Sequence, residues 1–264
     1  MVDNDRYRSA EHVVREFEHA GVNVCYGVEP VQNISRARNK SVSMARGAII
    51  AFIDDDEEAD SLWLAELWRE MNASMSDAVF GPVLPIFDAK TPRWLREGRF
   101  FERPRPPTGT LLKAFQTRTG NCLVRREALA GIPGPFAEAY GLTGSEDTHL
   151  FLQLEKRGCK FTAVDSACVY EHIGSNRRKR WLMKRRFRIG FSISKLGLRR
   201  SSGKHRLFSY TRIMLEIISL SVTGMFFFPF KRARGFASIL EASLKTGELA
   251  CMMGASAYRE YKAP

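Results

Sequence analysis

Ala48-Ile49-Ile50-Ala51-Phe52-Ile53 runs directly into Asp54-Asp55-Asp56-Glu57-Glu58. An unbroken apolar run of this length is the mark of a strand buried on both faces of a parallel sheet. In an open α/β sheet the carboxyl ends of the strands form the ligand crevice, and here that end carries five consecutive carboxylates. Such crowding costs electrostatic repulsion. A hard divalent cation would relieve it, since Mg²⁺ commonly bridges carboxylates to substrate phosphates. The plainer alternative is an acidic loop that caps the next helix, because carboxylates favour helix N-termini.

Outward from this strand, helical and extended periods alternate. Upstream, Ser9 is a candidate N-cap for a helix with Val13, Val14 and Phe17 on one face and Gly21 as its stop. Val22, Val24, Tyr26 and Val28 alternate as a half-buried strand, and residues 35–46 read as a helix closed by Gly47. Downstream, a helix over 62–71 places Leu64, Leu67, Trp68 and Met71 on an inner stripe, and 78–84 reads as a further buried strand. This alternation predicts an α/β fold, an open, doubly wound, Rossmann-like sheet flanked by helices. Residues 85–118, with five prolines between Pro85 and Pro107, read as a long loop of the kind that often covers a site. Regular structure resumes at Cys122-Leu123-Val124, followed by a helix over 147–157 stopped by Gly158 and an extended stretch over 160–170.

Composition bounds the function classes. The 264 residues are 44% hydrophobic and 27% charged, which excludes a wholly disordered chain. Of 41 Lys and Arg, fourteen fall between His172 and Leu215, where there is no Asp or Glu; the rest of the chain is close to neutral. The formal charge of +12 is therefore one basic band, which includes Arg177, Arg178, Lys179, Arg180, Lys184, Arg185, Arg186 and Arg188. Few aromatics interleave with it (Trp181, Phe187, Phe191) and no nucleic-acid module accompanies it, which disfavours nucleic acid as the partner. Residues 217–230 carry no charge, but a spanning helix needs about 20 apolar residues. With Arg212 before it and Lys231, Arg232 and Arg234 after it, the run suits either an anionic membrane surface or a core helix with a basic rim. Five scattered cysteines without a Cys-x-x-Cys pair point to a reducing compartment, and the charged start Met1-Val2-Asp3-Asn4-Asp5-Arg6 does not read as a signal peptide.

Three further positions are candidates. Glu146-Asp147 opens a helix after Gly141-Leu142-Thr143-Gly144-Ser145, where a carboxylate is either a cap or a catalytic group. Asn121 follows Thr119-Gly120 ahead of a short strand, as a turn residue or a ligand contact. His172 ends an extended segment, solvated or donating a ring nitrogen to a metal or phosphate.

Together these pieces resemble a known family. Ile34-Ser35-Arg36-Ala37-Arg38-Asn39, Ala45-Arg46-Gly47 and Ile49 to Asp56 look like the core of the inverting family 2 glycosyltransferases of GT-A fold. Thr119 to Arg126, Gly144-Ser145-Glu146-Asp147 and Tyr170-Glu171-His172 continue the match in order. Among these, bacterial glycosyltransferases of succinoglycan-type exopolysaccharide assembly are the most similar, over roughly residues 1–200. The resemblance implies a GT-A-like domain with an open mixed sheet over 1–175 and a basic, apolar, helical C-terminal region over 176–264. It implies a metal-dependent, inverting hexosyltransferase that uses Mg²⁺ or Mn²⁺ and a UDP-sugar donor. The acceptor would be a saccharide or lipid-linked saccharide, and the enzyme cytoplasmic, peripheral to the inner face of the inner membrane. It assigns Asp147 as general base with Glu146 beside it. Asp56, with Asp54 and His172, would hold the metal; Asp3, Arg38, Asp54, Asp55 and Asn121 would contact the donor.

Met1-Val2-Asp3-Asn4-Asp5 looks like the family's second strand with its acidic tip, so the first βα unit is expected to be missing, and Asn4 stands where many relatives carry Asp. That departure motivates a second expectation, a catalytically degenerate subunit that docks a polysaccharide complex at the membrane.

Overall fold

A computed structural model describes residues 1–174, 179–197 and 206–256. Arg177 and Arg178 of the basic band lie outside the described residues. The chain divides into two compact units, Met1–Val83 with Pro104–Tyr170, and Leu84–Arg103 with Glu171–Tyr258. The segment 84–103, from the stretch read as a loop, thus belongs with the C-terminal part of the chain. It carries helix α4 (Arg93–Glu97), which buries Leu95.

The first unit holds a two-stranded parallel sheet of β1 (Val2–Asp3) and β2 (Gly27–Val28), joined through α1 (Glu11–His19). Helix α2 (Ile34–Met44) follows, then β3 (Ile49–Ile53), the short strand β4 (Glu57–Ala59), α3 (Trp63–Ser74) and β5 (Ala78–Phe80). With β7 (Asn121–Arg125) and β8 (Phe161–Ala163), strands β3 and β5 form a mixed sheet in the order β3-β7-β5-β8. Strand β7 runs antiparallel to both β3 and β5, whereas β5 and β8 are parallel. Helix α5 (Glu146–Lys156) packs Leu150, Phe151 and Leu154 against Phe80, Val124 and Phe161 in the main core. Trp63, Leu67 and Met71 of α3 cover the other part with Val79 and Leu123.

Several local expectations are corrected. The run at 48–53 is a strand, but an edge strand paired antiparallel to β7, and only Ile50 is buried along it. An apolar run reports hydrophobicity and not strand direction, which is why the parallel reading failed. Of the expected strand at 22–28 only Gly27–Val28 pairs, and Val22 is exposed. On α1 the N-cap is Ala10 rather than Ser9, and Val14 alone of the expected face is buried. Helix α3 turns inward on Trp63, Leu67 and Met71, leaving Leu64 and Trp68 about half exposed.

In the second unit β6 (Val83–Phe87) pairs with β9 (Val169–Ile173). Three long helices follow, α6 (Lys179–Lys195), α7 (Arg206–Phe227) and α8 (Arg232–Met252). Leu95, Phe101, Ile173, Leu182, Phe236 and Leu240 form this unit's own core. Helix α8 meets α6 backbone to backbone. A methyl placed on Gly190 would lie 1.9 Å from the Leu244 carbonyl oxygen, and one on Gly247 1.9 Å from that of Phe187.

Candidate active site

The site is built on three chain turns of the first unit. The first is the end of β3. The Asp54 amide donates to Glu57 Oε2 at 3.1 Å, and the Glu57 amide donates back to the Asp54 carbonyl at 3.3 Å. This closes a turn whose corner residues are Asp55 and Asp56, both exposed. Within the acidic run, Asp54 takes a guanidinium partner, which offsets part of the repulsion. Gly120 passes close over the turn; a Cβ there would lie 2.9 Å from Glu57 Oε1 and 3.1 Å from Asp54 Oδ2.

The second turn is the start of α2. Asn33 caps it, its Oδ1 accepting from the Arg36 amide at 3.2 Å. The helix then projects Arg38 toward β3 and fastens itself to the loop at 136–141. Asn39 donates to the Phe136 carbonyl and accepts from the Phe136 amide, each at 2.9 Å. Ser35 Oγ donates to Ala137 O at 3.0 Å, and the Ile34 amide donates to Gly141 O at 3.2 Å. A Cβ on Gly141 would fall 1.7 Å from Asn33 Oδ1, so only glycine permits this approach.

The third turn enters α5. Gly144 (φ 79°) and Ser145 (φ 77°) are both left-handed, and Ser145 makes no side-chain cap. A non-glycine residue there costs roughly 1–2 kcal/mol, a local strain of the sort that persists where surrounding structure fixes it. The result is that Glu146 and Asp147 enter the helix at its positive end.

Arg38 joins the three. Its side chain is 13% exposed, and it donates Nη2 to Asp54 Oδ1 at 2.9 Å and Nη1 to Glu146 Oε1. Burial opposes the guanidinium charge, but Glu146, Asp54 and Asp147 outweigh it and hold its pKa above the ordinary value. Glu146 is 5% exposed, and its buried Oε2 has no hydrogen-bond partner among the described residues. Burial, then the neighbouring Asp147 charge, pushes its carboxyl from the usual 4.5 up to about 7, against the pull of Arg38. Desolvation likewise raises Asp54, with Arg38 opposing and Asp56 and Asp147 adding. Asp147 is half-buried and accepts from the Thr148 amide at 2.6 Å. The Arg38 guanidinium thus faces two carboxylates directly, Asp54 and Glu146, with the Asp147 charge nearby.

The sequence-predicted residues divide accordingly. Arg38, Asp54, Glu146 and Asp147 come together, with Asp55 and Asp56 on the adjoining corner. Arg38, expected at the donor, is spent on two carboxylates. Asn121 is fully buried, and its amide serves the protein: Oδ1 accepts from the Trp63 indole at 2.7 Å, and Nδ2 donates to Pro82 O at 2.9 Å and Ala167 O at 2.8 Å. These bonds tie the first residue of β7 to α3 and to the chain at Pro82 and Ala167. Asp3 accepts from the Asp5 and Ala10 amides and the Tyr26 hydroxyl, each at 2.9 Å. Burial raises its carboxyl, and these three donors together bring it below the ordinary value. Next to it, Asn4 donates to the carbonyls of Glu29 and Val31 at 2.7 Å and accepts from the Asn33 amide at 2.9 Å. A carboxylate has no N–H to donate, so asparagine rather than aspartate fits this position. His172 stands exposed on β9, in the second unit.

Sequence reasoning missed Asn33, Asn39 and Glu57. Asn33 had a signal, an amide three residues ahead of a helical N–H. Glu57 bonds locally, to the Asp54 amide three residues back, whereas the fold alone brings Phe136 to Asn39.

Among the described residues, no group of three His, Cys, Asp or Glu is arranged to hold a metal. Mg²⁺ keeps several waters and is held by one or two carboxylates plus substrate phosphates. The exposed Asp55 and Asp56 oxygens fit that kind of shared site and not a closed protein cage.

Comparison with known proteins agrees with this architecture. A solved structure of S. aureus TarS 1-349 in complex with UDP superposes with a TM-score of 0.51 at 13% identity, covering 96% of this chain and 81% of that one. The same fragment in complex with UDP-GlcNAc gives 0.50 at 13% identity; at such identity the likeness concerns the fold. The succinoglycan biosynthesis protein ExoM of Rhizobium meliloti (strain 1021) is 29% identical over 268 residues, covering all of this chain and 85% of the relative. The profile of the family described as Glycosyl transferase family 2 matches residues 1–132, half of the chain. With the mixed sheet and the clustered carboxylates in place, the chain belongs to glycosyl transferase family 2.

Proposed function

We propose that this glycosyltransferase moves a sugar from a UDP-sugar to a saccharide or lipid-linked saccharide, with inversion, in exopolysaccharide assembly at the cytoplasmic face of the membrane. The observation that supports the reading is the Arg38 bridge, which ties Asp54 at the end of β3 to Glu146 at the start of α5. The similarity to a succinoglycan biosynthesis protein supports the polysaccharide assignment, and the UDP complexes of the TarS fold support the donor class.

In this reading Asp147 accepts the proton of the acceptor hydroxyl as that oxygen attacks the anomeric carbon. General-base assistance of this kind contributes roughly 10²–10⁴-fold. Attack and departure occur in line, in one displacement, so the anomeric configuration inverts and the nucleoside diphosphate leaves with the bonding pair. Asp56, with Asp54, would hold a divalent cation, which when bound supplies Lewis-acid stabilisation of the diphosphate charge. Arg38 keeps Asp54 and Glu146 ionic partners, and Glu146 fixes the first turn of α5 on which Asp147 rides.

The test is transfer from UDP-sugars to saccharide acceptors in the presence of Mg²⁺ or Mn²⁺. The wild-type chain transfers, whereas Asp147→Asn and Asp56→Ala each lose about 10² or more, in folded protein. Undiminished turnover by Asp147→Asn would remove the base from this position.

A further inference from the structure

Helix α7 carries an apolar face that the described residues leave exposed. Met214, Leu215, Ile218, Val222, Met225 and Phe226 are 51–67% exposed. Their spacings of three and four place them on one side of the helix. Isolated exposed apolar residues are ordinary, but a continuous stripe marks an interaction surface. The opposite side of α7 packs against α8. The Tyr210 hydroxyl donates to Met252 O at 2.8 Å, and Glu216 pairs with Lys245 at 3.0 Å. Gly224 meets Gly235 so closely that a Cβ on Gly235 would lie 2.8 Å from the Gly224 carbonyl oxygen.

Charge identifies the occupant. Glu216 is the one acid of α7, and it is tied to Lys245 on the inner side, so the outer stripe carries none. Cations stand at both ends, with Arg212, which also pairs with Glu216 at 2.9 Å, before the stripe and Lys231 and Arg232, both exposed, after it. A second copy laid along the stripe, parallel or antiparallel, would bring cationic ends against cationic ends. An anionic surface meets both ends favourably.

The geometry points to α7 lying in the plane of an anionic lipid bilayer, its outer stripe sunk into the headgroup boundary and Arg212, Lys231 and Arg232 on lipid phosphates. An amphipathic helix seated in this way buries its apolar face by about 5–10 Å. The helix is long and apolar enough by composition to cross a membrane. Its packing on α8 argues against crossing. Helix α8 holds Arg232, Arg234, Glu241, Lys245 and Glu248, so a spanning α7 would drag these charges into hydrocarbon or abandon its partner. The inference concerns the second unit alone and stands whether or not the transfer reading holds.

Vesicle sedimentation of the full chain tests it. Vesicles of phosphatidylcholine with phosphatidylglycerol bind the protein, and phosphatidylcholine alone binds it more weakly. Ile218→Asp with Met225→Asp, at two outward positions, lowers partitioning at least about tenfold while helical circular dichroism is kept. Lys231→Ala with Arg232→Ala loses about tenfold on anionic vesicles and little on neutral ones. The proposal is overturned if the wild type stays in the supernatant with both vesicle types, or if the aspartate variant partitions like the wild type. A wild-type dimer that this variant splits, without vesicle binding, would assign the stripe to a second copy instead. Transfer activity measured alongside keeps the two readings separable.

Discussion

Glu146 carries the most unusual environment of any carboxylate described: nearly closed off from solvent, one oxygen on Arg38 and the other without a hydrogen-bond partner among the described residues. Its carboxyl, lifted from the usual 4.5 to about 7, binds a proton more tightly in the folded protein than in the unfolded chain. A raised acid stabilises the fold fully below its unfolded pKa, and that contribution is lost as pH rises through the folded one. Stability should therefore fall between about pH 4.5 and about 7 by a component that Glu146→Gln removes. Urea unfolding across this range, wild type against variant, reads the difference; parallel curves would reject the assignment. The acidic run after β3 stands out in the sequence as a cluster, whereas Glu146-Asp147 at a helix start reads equally as a cap, and only the family resemblance gives it a catalytic role. Their partners were not legible there. Whether Asn121 turns to a sugar or to the Trp63 indole, and whether Arg38 meets a donor or two acids, depends on residues far away in sequence that only folding brings near.

At the scale of elements, the helices were read better than the strands. Helices α2, α3 and α5 lie within a few residues of their expected spans, since caps and 3.6-residue periodicity are local signals. Strand β3 was found, but its edge position and antiparallel partner were not, because pairing is a property of two segments. The glycines of α6 and α8 give a sharper test of elements. Gly190→Ala should gain up to ~1 kcal/mol of helix propensity. Against this, overpacking of a methyl onto the Leu244 carbonyl costs roughly 1–3 kcal/mol or more. We expect a lower denaturation midpoint for Gly190→Ala and for Gly247→Ala; a raised midpoint would mean that α6 and α8 do not cross at these glycines.

Over the whole molecule, composition sets apart a basic band over 172–215, whereas the second unit draws its core from Leu95, Phe101, Ile173, Leu182, Phe236 and Leu240, most of them outside that band. The expected division near residue 175 differs from the observed units, because 84–103 reads as a proline-rich loop until Leu95 and Phe101 find the apolar residues of the C-terminal helices. The cation also belongs at this scale. In the proposed function the cation is shared with the donor diphosphate, so it serves the donor and not the fold. EDTA is expected to abolish transfer and leave the thermal midpoint unchanged, with Mg²⁺ or Mn²⁺ restoring turnover; a large drop in midpoint would make the ion structural. The bridging guanidinium also has a thermodynamic corollary. A positive ion arriving beside Asp54 competes with Arg38 there, and what Arg38 relinquishes on that side it concentrates on Glu146. Coupling free energies are reciprocal, so a change in protonation beside Asp147 alters, by the same amount, the grip on whatever sits at the strand end. Filling the two halves of the cleft is then a pair of linked equilibria, each reporting the occupancy of the other.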